Sequence, residues 1–215
     1  MKKGGVINGP IKCYEGENIT VQSILNSGLA ASPCNKLFKA EVIKRYPFLV
    51  GKMNEDVASV IPAIVSTEGK IAYVENEKYY YVQRRNSAQN SEFSDRRFDM
   101  FDAISLCFER IREFKDFEKN SEIILYHQVL MLFTCVIIEI KDKKKRKEII
   151  EKFIKKQKAY KVQKNPMLNG YIKNQDKDLR LYYKMVIKSL NLSSASITNL
   201  IISCKKMFMS KKQKK

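Results

Sequence analysis

Two adjacent carboxylates, Glu55 and Asp56, are the side chains of this 215-residue chain best placed to do chemistry. They precede an apolar segment with helical spacing, so both are expected in the first turn of a helix over Asp56–Ser66. A carboxylate within hydrogen-bond reach of a hydroxyl can act as a general base. The free N–H groups and the dipole at a helix start stabilise an ionised carboxylate. Acidic residues at this position can also do no more than cap the helix, and both interpretations stay open.

Two further blocks flank the carboxylates. Asn35-Lys36-Leu37-Phe38-Lys39 lies upstream, and Tyr79-Tyr80-Tyr81-Val82-Gln83-Arg84-Arg85-Asn86-Ser87 lies downstream. The three blocks together resemble the acceptor half of a family 2 glycosyltransferase. That family carries Asn-Lys-Leu-Tyr/Phe-Lys/Arg, then a Glu-Asp pair, then Tyr-x-Tyr-x-x-Arg-x-x-Ser, in this order. The resemblance covers residues 1–95, and Cys34 departs from it because the family often has Trp there.

The resemblance implies an inverting transfer of a sugar from a nucleotide-sugar donor to a cell-envelope or capsular glycan acceptor. Asp56 would be the general base for the acceptor hydroxyl. The implied substrate-binding residues are Glu55, Arg84, Ser87, Asn35 and Lys36. The Arg84 guanidinium suits bidentate contact with a diphosphate, and the Ser87 hydroxyl can add a hydrogen bond. By position alone, Arg84 is equally an exposed strand-end residue and Lys36 a structural one.

The family's nucleotide-binding half ends in an Asp-x-Asp motif that holds a divalent cation, and nothing before Asn35 matches it. Residues 1–32 contain no Asp, and the Gly4-Gly5 pair is typical of a turn. Asp176-Lys177-Asp178 has the spacing but follows the other blocks. We therefore expect no metal on this chain alone. A divalent cation (Mg²⁺ or Mn²⁺) would come only with the missing half, and the isolated chain should not turn over.

The formal net charge of +18 is concentrated at one end of the chain. Residues 141–215 hold 23 Lys and Arg against 5 Asp and Glu, whereas residues 1–140 hold 18 of each sign. Three interpretations stay open: a basic helix on an anionic membrane surface through residues 141–162, a nucleic-acid-binding segment, and a solvated charged face. Nucleic acid is the less favoured partner because the excess charge is almost all Lys rather than base-reading Arg. The competing function is thus a non-enzymatic, basic helical module in which the Glu-Asp pair is a helix cap.

The residue pattern predicts an α/β first part and a helical second part. Helices are expected over Val21–Leu29, Ala40–Tyr46 and Asp56–Ser66, through Phe98–Ile111 behind a Ser94 cap, and over 143–162, 176–190 and 196–209. Strands are expected at Leu37–Phe38, Ile71–Val74 and Tyr79–Gln83. The pairs Asn165-Pro166 and Asn169-Gly170 are expected to break the chain. We therefore predict a partial GT-A-like (Rossmann-like) domain at residues 1–95, followed by a Lys-rich helical extension at residues 96–215.

Ile123 to Ile140 is an 18-residue, mainly apolar stretch at the lower limit for a membrane span. We prefer a buried helix, because polar residues inside a marginal span are costly in lipid. His127, the only histidine, is expected to pack in the core rather than to act in catalysis. No apolar signal segment follows Met1, and the five cysteines lack a C-x-x-C pair. The expected location is cytoplasmic, with a peripheral position on the inner face of the membrane left open.

Overall fold

The computed structural model describes residues 20–27, 30–68, 71–72, 93–161 and 164–205. Every regular element in these ranges is helical and none is a strand, so the predicted α/β, GT-A-like (Rossmann-like) architecture is wrong. Leu37–Phe38, predicted as a strand, lies in an irregular loop where Leu37 is fully exposed. No strand in the described ranges is present to pair with it. Apart from residues 71 and 72, which are irregular, the strands predicted over Ile71–Val74 and Tyr79–Gln83 lie outside the described residues.

The chain divides into two compact units, unit 1 (Met1–Phe117) and unit 2 (Glu118–Lys215). Described helices of unit 1 are α1 (Val21–Asn26), α2 (Ala40–Lys44), α3 (Glu55–Val65) and α4 (Asp99–Ile111), with a 3-10 turn at Asp95–Phe98. Those of unit 2 are α5 (Phe117–Met131), which starts at the last residue of unit 1, α6 (Lys143–Gln157), α7 (Pro166–Lys173), α8 (Lys177–Asn191) and α9 (Ala195–Ser203). The sequence places the domain boundary after residue 95, whereas unit 1 also includes α4 because α4 packs on α3.

Unit 1 is built around the packing of α3 on α4. Apolar residues at intervals of three and four place a buried face on each helix. These buried residues include Val57, Val60, Ile61, Ile64, Phe101, Ile104, Cys107 and Ile111. Since α3 is buried from Val57 to Val65, the carboxylates of its first turn project from an element that is fixed on several sides.

The helices predicted from Val21, Ala40 and Asp56 are confirmed, with slightly different ends. Local sequence explains the start of α1, where Ser23 N–H donates to Thr20 Oγ1 and Thr20 N–H donates to Ser23 Oγ, each at 3.1 Å. This reciprocal capping box satisfies two N–H groups that a helix start leaves unpaired. α2 ends before Pro47, which cannot continue a helix.

Unit 2 packs α9 against both α6 and α8. The apolar stripe predicted within residues 143–162 is confirmed: Ile149, Ile150, Phe153 and Ile154 of α6 are buried. The predicted break at Asn169-Gly170 is wrong, because both residues lie inside α7. Asn165 caps α7 by accepting from Met167 N–H at 3.0 Å, and Pro166 occupies the first helical position, where proline is well tolerated.

The apolar stretch from Ile123 to Ile140 folds as the second half of α5 followed by a π-helix at Leu132–Ile137. Its apolar side chains are largely buried, among them Ile123, Val129, Phe133 and Ile137, so the preferred buried helix is confirmed. Over the described residues, no helix combines the length and apolar character that a membrane crossing requires.

Candidate functional site

Lys36 and Asp56 lie close enough in unit 1 for each to shift the pKa of the other. Lys36 is in the loop between α1 and α2, and Asp56 is the second residue of α3. Both side chains are half-buried. The fold thus brings an amine and a carboxylate together from separate stretches of the chain.

The Lys36 ammonium is anchored by local acceptors. Its Nζ donates to the carbonyl oxygen of Ser32 at 2.7 Å and to Oδ1 of Asn35 at 2.8 Å. Burial lowers the pKa of Lys36 from 10.5 to about 8, although Asp56 and Cys34 act in the opposite direction. A lysine that titrates near neutral pH can exchange its proton under physiological conditions, as catalytic lysines do.

The Asp56 carboxylate is shifted in the direction that suits a base. Burial raises the pKa of Asp56 above 3.8, and the negative charge of Glu55 adds to the rise. A hydrogen bond from Val57 N–H at 2.9 Å and the positive charge of Lys36 oppose it. The net upward shift makes Asp56 a stronger proton acceptor than an exposed aspartate.

The turn into α3 sets where both carboxylates lie. Asn54 adopts a left-handed φ of 61°, which Asn tolerates better than most residues, and its side chain makes no capping hydrogen bond. Val57 N–H is shared between Asn54 O at 3.1 Å and Asp56 Oδ1 at 2.9 Å. Asp56 therefore also satisfies an N–H group at the helix start, as the alternative interpretation of the Glu55-Asp56 pair requires. Capping and a role in chemistry are compatible here.

The chain before α3 is tied to the start of α4. Lys52 Nζ lies 3.3 Å from Asp99 Oδ1 and 3.2 Å from Asp102 Oδ2. Met53 N–H donates to Asp99 Oδ2 at 3.1 Å. Partial burial of Asp99 acts to raise its pKa. The hydrogen bond from Met53 N–H and the positive charge of Lys52 outweigh this effect, so the pKa of Asp99 is lowered. Asp99 is thereby held as an anion that positions the segment leading to Asp56.

Arg110 of α4 holds α3 from a second direction. Its Nη1 donates to Ala58 O at 2.6 Å, and both Nη atoms lie 3.2 Å from Pro47 O. Ser59 Oγ also donates to Pro47 O, at 3.0 Å. The guanidinium carbon lies 5.9 Å from the centre of the Tyr46 ring, a cation–π distance. Nothing in the sequence marked Arg110, because its acceptors are 52 and 63 residues away along the chain.

The structure describes four of the six predicted site residues: Asn35, Lys36, Glu55 and Asp56. It joins Asn35 to Lys36 by a hydrogen bond and places Lys36 within electrostatic reach of Asp56. Arg84 and Ser87 lie outside the described residues, so their roles stay predictions. Cys34 is notable in the sequence only as a departure from the family pattern. In the structure it is exposed and acts to raise the pKa of Lys36.

Among the described residues, no group of three His, Cys, Asp or Glu side chains is arranged to hold a metal ion. Asp176, which has the Asp-x-Asp spacing with Asp178, instead caps α8 by accepting from Leu179 N–H at 3.0 Å. His127 is half-buried, and burial lowers its pKa. Its ring packs edge-on against Tyr126 with centroids 5.0 Å apart, at a half-buried position rather than in the core where the sequence predicted it.

Comparisons of the chain with protein-family models, with curated proteins and with solved structures gave no match. Fold and site together define a helical protein of two units, in which unit 1 presents a half-buried lysine and carboxylate beside a helix start.

Proposed function

We propose that unit 1 carries the acceptor side of a glycosyltransferase, with Asp56 as the general base. The observation that supports it most is the position of the Asp56 carboxylate, half-buried at a helix start and within electrostatic reach of Lys36. Perturbed titratable groups of this kind concentrate at functional sites. The order of the Asn35–Lys39, Glu55–Asp56 and Tyr79–Ser87 blocks points to the same class of reaction.

In this reaction the hydroxyl oxygen of the acceptor sugar attacks the anomeric carbon of the donor. The hydroxyl proton passes to the Asp56 carboxylate as the new C–O bond forms. The bond between the donor sugar and the nucleoside diphosphate breaks, and its electron pair leaves on the diphosphate. A positioned general base accelerates such a step about 10²- to 10⁴-fold. The burial that raises the pKa of Asp56 makes the carboxylate a better acceptor for this proton.

The neighbours of Asp56 prepare it for this role. The positive charge of Lys36 opposes the rise in the pKa of Asp56 and so keeps the carboxylate available in its ionised form. Asn35 Oδ1, 2.8 Å from Lys36 Nζ, holds the ammonium in place. Glu55, partly exposed one residue earlier in the helix, offers an acceptor for sugar hydroxyls.

Arg84 and Ser87 complete the proposal as contacts for the donor diphosphate, a role that comes from the sequence resemblance alone. The described residues do not provide a ligand set that fits a divalent cation. The proposed substrates are a nucleotide sugar and a cell-envelope or capsular glycan. The proposed location is the cytoplasm, with a peripheral position on the inner face of the membrane left open.

Extracts of the producing cells allow a direct test, because they contain any other components that the reaction needs. Cells lacking this chain are complemented with the wild-type chain, with Asp56→Asn or with Glu41→Gln. Extracts of these cells are then incubated with a panel of radiolabelled nucleotide sugars. Glu41 is a matched control, since it is an exposed carboxylate in the first turn of α2 in the same unit.

We expect the wild-type chain to restore incorporation of one labelled sugar into a glycan. Asp56→Asn should lower that incorporation about 10²-fold or more, and Glu41→Gln should leave it unchanged. Full incorporation with Asp56→Asn would show that Asp56 is not the base. If the wild-type chain restores incorporation of none of the sugars, the glycosyltransferase proposal itself is wrong.

A further inference from the structure

Helix α8 presents a face that the core of unit 2 does not use. Its buried side chains are Tyr182, Val186, Ser189 and Leu190. The other side of the helix is exposed along its whole length, about 22 Å for 15 residues. Since the core does not require the residue types on that side, their arrangement can report on a partner.

Three large apolar side chains form an apolar band on the exposed side of α8. Leu181 is 52% exposed, Met185 37% and Leu192, at the end of the helix, 64%. Their spacing of four and then seven residues places them in one line along the helix. Single exposed apolar residues are common on protein surfaces, but a line of them is characteristic of a contact surface.

A cationic band runs beside the apolar band. It consists of Lys177, Arg180, Lys184 and Lys188, all exposed. Lys177, Lys184 and Lys188 are spaced by seven and then four residues, so they too form a line. Its centre lies about 60° around the helix from that of the apolar band, and Lys188 lies between Met185 and Leu192 along the helix axis. Asp178 is the only acidic residue within α8. The exposed face therefore combines a clear positive charge with apolar side chains.

Helix α9, which packs on α8, exposes two further apolar residues. Ile197 is 47% exposed and Leu200 65%, three residues apart and thus on one side of α9. The two helices are joined by a buried hydrogen bond of 2.8 Å between the hydroxyls of Ser189 and Thr198. The α8–α9 pair thus offers apolar side chains at its surface on both helices.

Helix α6 is built differently, although it lies within residues 141–162, for which a membrane surface was one of three interpretations left open. Its apolar residues Ile149, Ile150, Phe153 and Ile154 are buried. Its lysines, such as Lys155 and Lys156, are exposed. α6 can therefore offer charge to a partner, whereas α8 offers charge and apolar surface together.

We propose that the exposed face of α8 binds the surface of an anionic lipid bilayer. Interfacial helices place apolar residues at the boundary between headgroups and acyl chains, with Lys and Arg beside anionic headgroups, and the two bands of α8 provide both. A nucleic acid would use the cationic band but has no need of an exposed row of Leu and Met. This surface is independent of the proposed site in unit 1, so either proposal can fail without the other.

Co-sedimentation of the full chain with vesicles tests the proposal. We expect binding to vesicles of phosphatidylcholine with phosphatidylserine and little binding to phosphatidylcholine alone. Raising the salt to roughly 300 mM should weaken the binding by screening the charges but should not abolish it, because burial of the apolar band does not depend on salt. Absence of binding to the anionic vesicles at low salt would overturn the proposal.

Paired substitutions separate α8 from α6. Leu181→Ser with Met185→Ser removes most of the apolar band, and Lys184→Gln with Lys188→Gln halves the cationic band. Lys155→Gln with Lys156→Gln removes the same charge from α6. We expect each α8 pair to weaken vesicle binding at least about tenfold and the α6 pair to change it less than about threefold. An equal loss for the two lysine pairs would show general attraction of a basic protein and no specific surface.

The chain contains no tryptophan, so a single introduced one reports its own surroundings. Leu181→Trp should show a blue shift of fluorescence on anionic vesicles and quenching by brominated lipids, whereas Lys155→Trp should show neither. If Leu181→Trp stays solvent-exposed on vesicles, the apolar band does not enter the bilayer and the proposal is wrong. Binding of an oligonucleotide that is lost in the Lys184→Gln, Lys188→Gln chain and kept in the Leu181→Ser, Met185→Ser chain, without vesicle binding, would identify a nucleic-acid surface instead.

Discussion

Arg110 Nη1 donates a hydrogen bond of 2.6 Å to the carbonyl oxygen of Ala58. In a regular α-helix this oxygen accepts the N–H of residue 62, but Pro62 has no N–H to donate. A guanidinium from α4 thus satisfies the acceptor that the proline leaves unpaired inside α3. Buried carbonyl groups are costly when unpaired, so this contact lets α3 contain a proline and still carry Asp56 on its first turn.

Removing Arg110 should destabilise unit 1, and Pro62 should determine by how much. We expect Arg110→Met to lower the free energy of opening of α3 by about 1–3 kcal/mol, because Ala58 O loses its side-chain donor and Pro47 O keeps only the hydroxyl of Ser59. In a Pro62→Ala background the loss should be smaller, since the alanine N–H can bond to Ala58 O. Hydrogen exchange of α3 peptides measures this free energy. Arg112→Met, an exposed arginine at the end of the same helix, is the control and should have little effect. Equal losses in both backgrounds would contradict the relationship.

The pKa of Lys36 should depend on Asp56. The carboxylate raises the pKa of Lys36 against the larger effect of burial, so Asp56→Asn should bring it below about 8. The pH dependence of Lys36 acylation, followed by peptide mass spectrometry, gives this pKa directly. Glu41→Gln should leave the titration midpoint unchanged. The same midpoint in the wild-type and Asp56→Asn chains would mean that the two groups do not interact.

Lys36 should also give the stability of unit 1 a specific dependence on pH. Because its pKa is lowered from 10.5 to about 8 on folding, the unfolded chain binds more protons than the folded chain between these values. The free energy of unfolding therefore gains a contribution that rises with pH across this window. The raised pKa of Asp56 gives a contribution of the opposite sign, lost as pH rises through its folded pKa, at more acidic pH. Lys36→Met should remove the alkaline rise and Lys44→Met, at an exposed position, should not; hydrogen exchange across the window distinguishes them.

In unit 2, we expect the Arg146 side chain to hold α6 against α9. Its Nε donates to Asn199 Oδ1 and its Nη2 to Ser203 Oγ, both at 2.6 Å, and its side chain is buried. Arg146→Met should cost about 1.5–3 kcal/mol, since two partly buried hydrogen bonds from a charged donor are lost. Hydrogen exchange should accelerate in α6 and α9 together. Lys155→Met on the exposed side of α6 should leave exchange unchanged, and a matching effect of the two substitutions would contradict the role of Arg146.

Most helices were predictable because their signals are local. The capping box at Thr20, the apolar intervals of α3, α6 and α8, and the Asp176 cap are all contained within one or two turns. The break predicted at Asn169-Gly170 failed because another local signal outweighed it. Asn165 and Pro166 start a new helix so effectively that α7 continues through the glycine, despite its low helix propensity.

The fold class was not predictable in the same way. A short block such as Leu37–Phe38 becomes a strand only if another strand pairs with it, and that partner is a tertiary feature. The described residues instead pack helix against helix, with Leu37 left in solvent. The helical spacing of the apolar residues after Asp56 was nonetheless informative about position, because it placed the Glu55-Asp56 pair at a helix start, where the structure has it.

The sequence by itself determined the helical segments, the concentration of charge after residue 140 and the placement of two carboxylates on the first turn of α3, because periodicity, caps and composition act over short distances. Tertiary structure decided that Lys36 lies within electrostatic reach of Asp56 and that Arg110 donates to the oxygen left unpaired by Pro62. It also decided that α6 buries its apolar residues while α8 exposes a line of them. Those relationships depend on which surfaces meet when distant parts of the chain pack together. No local pattern contains that information.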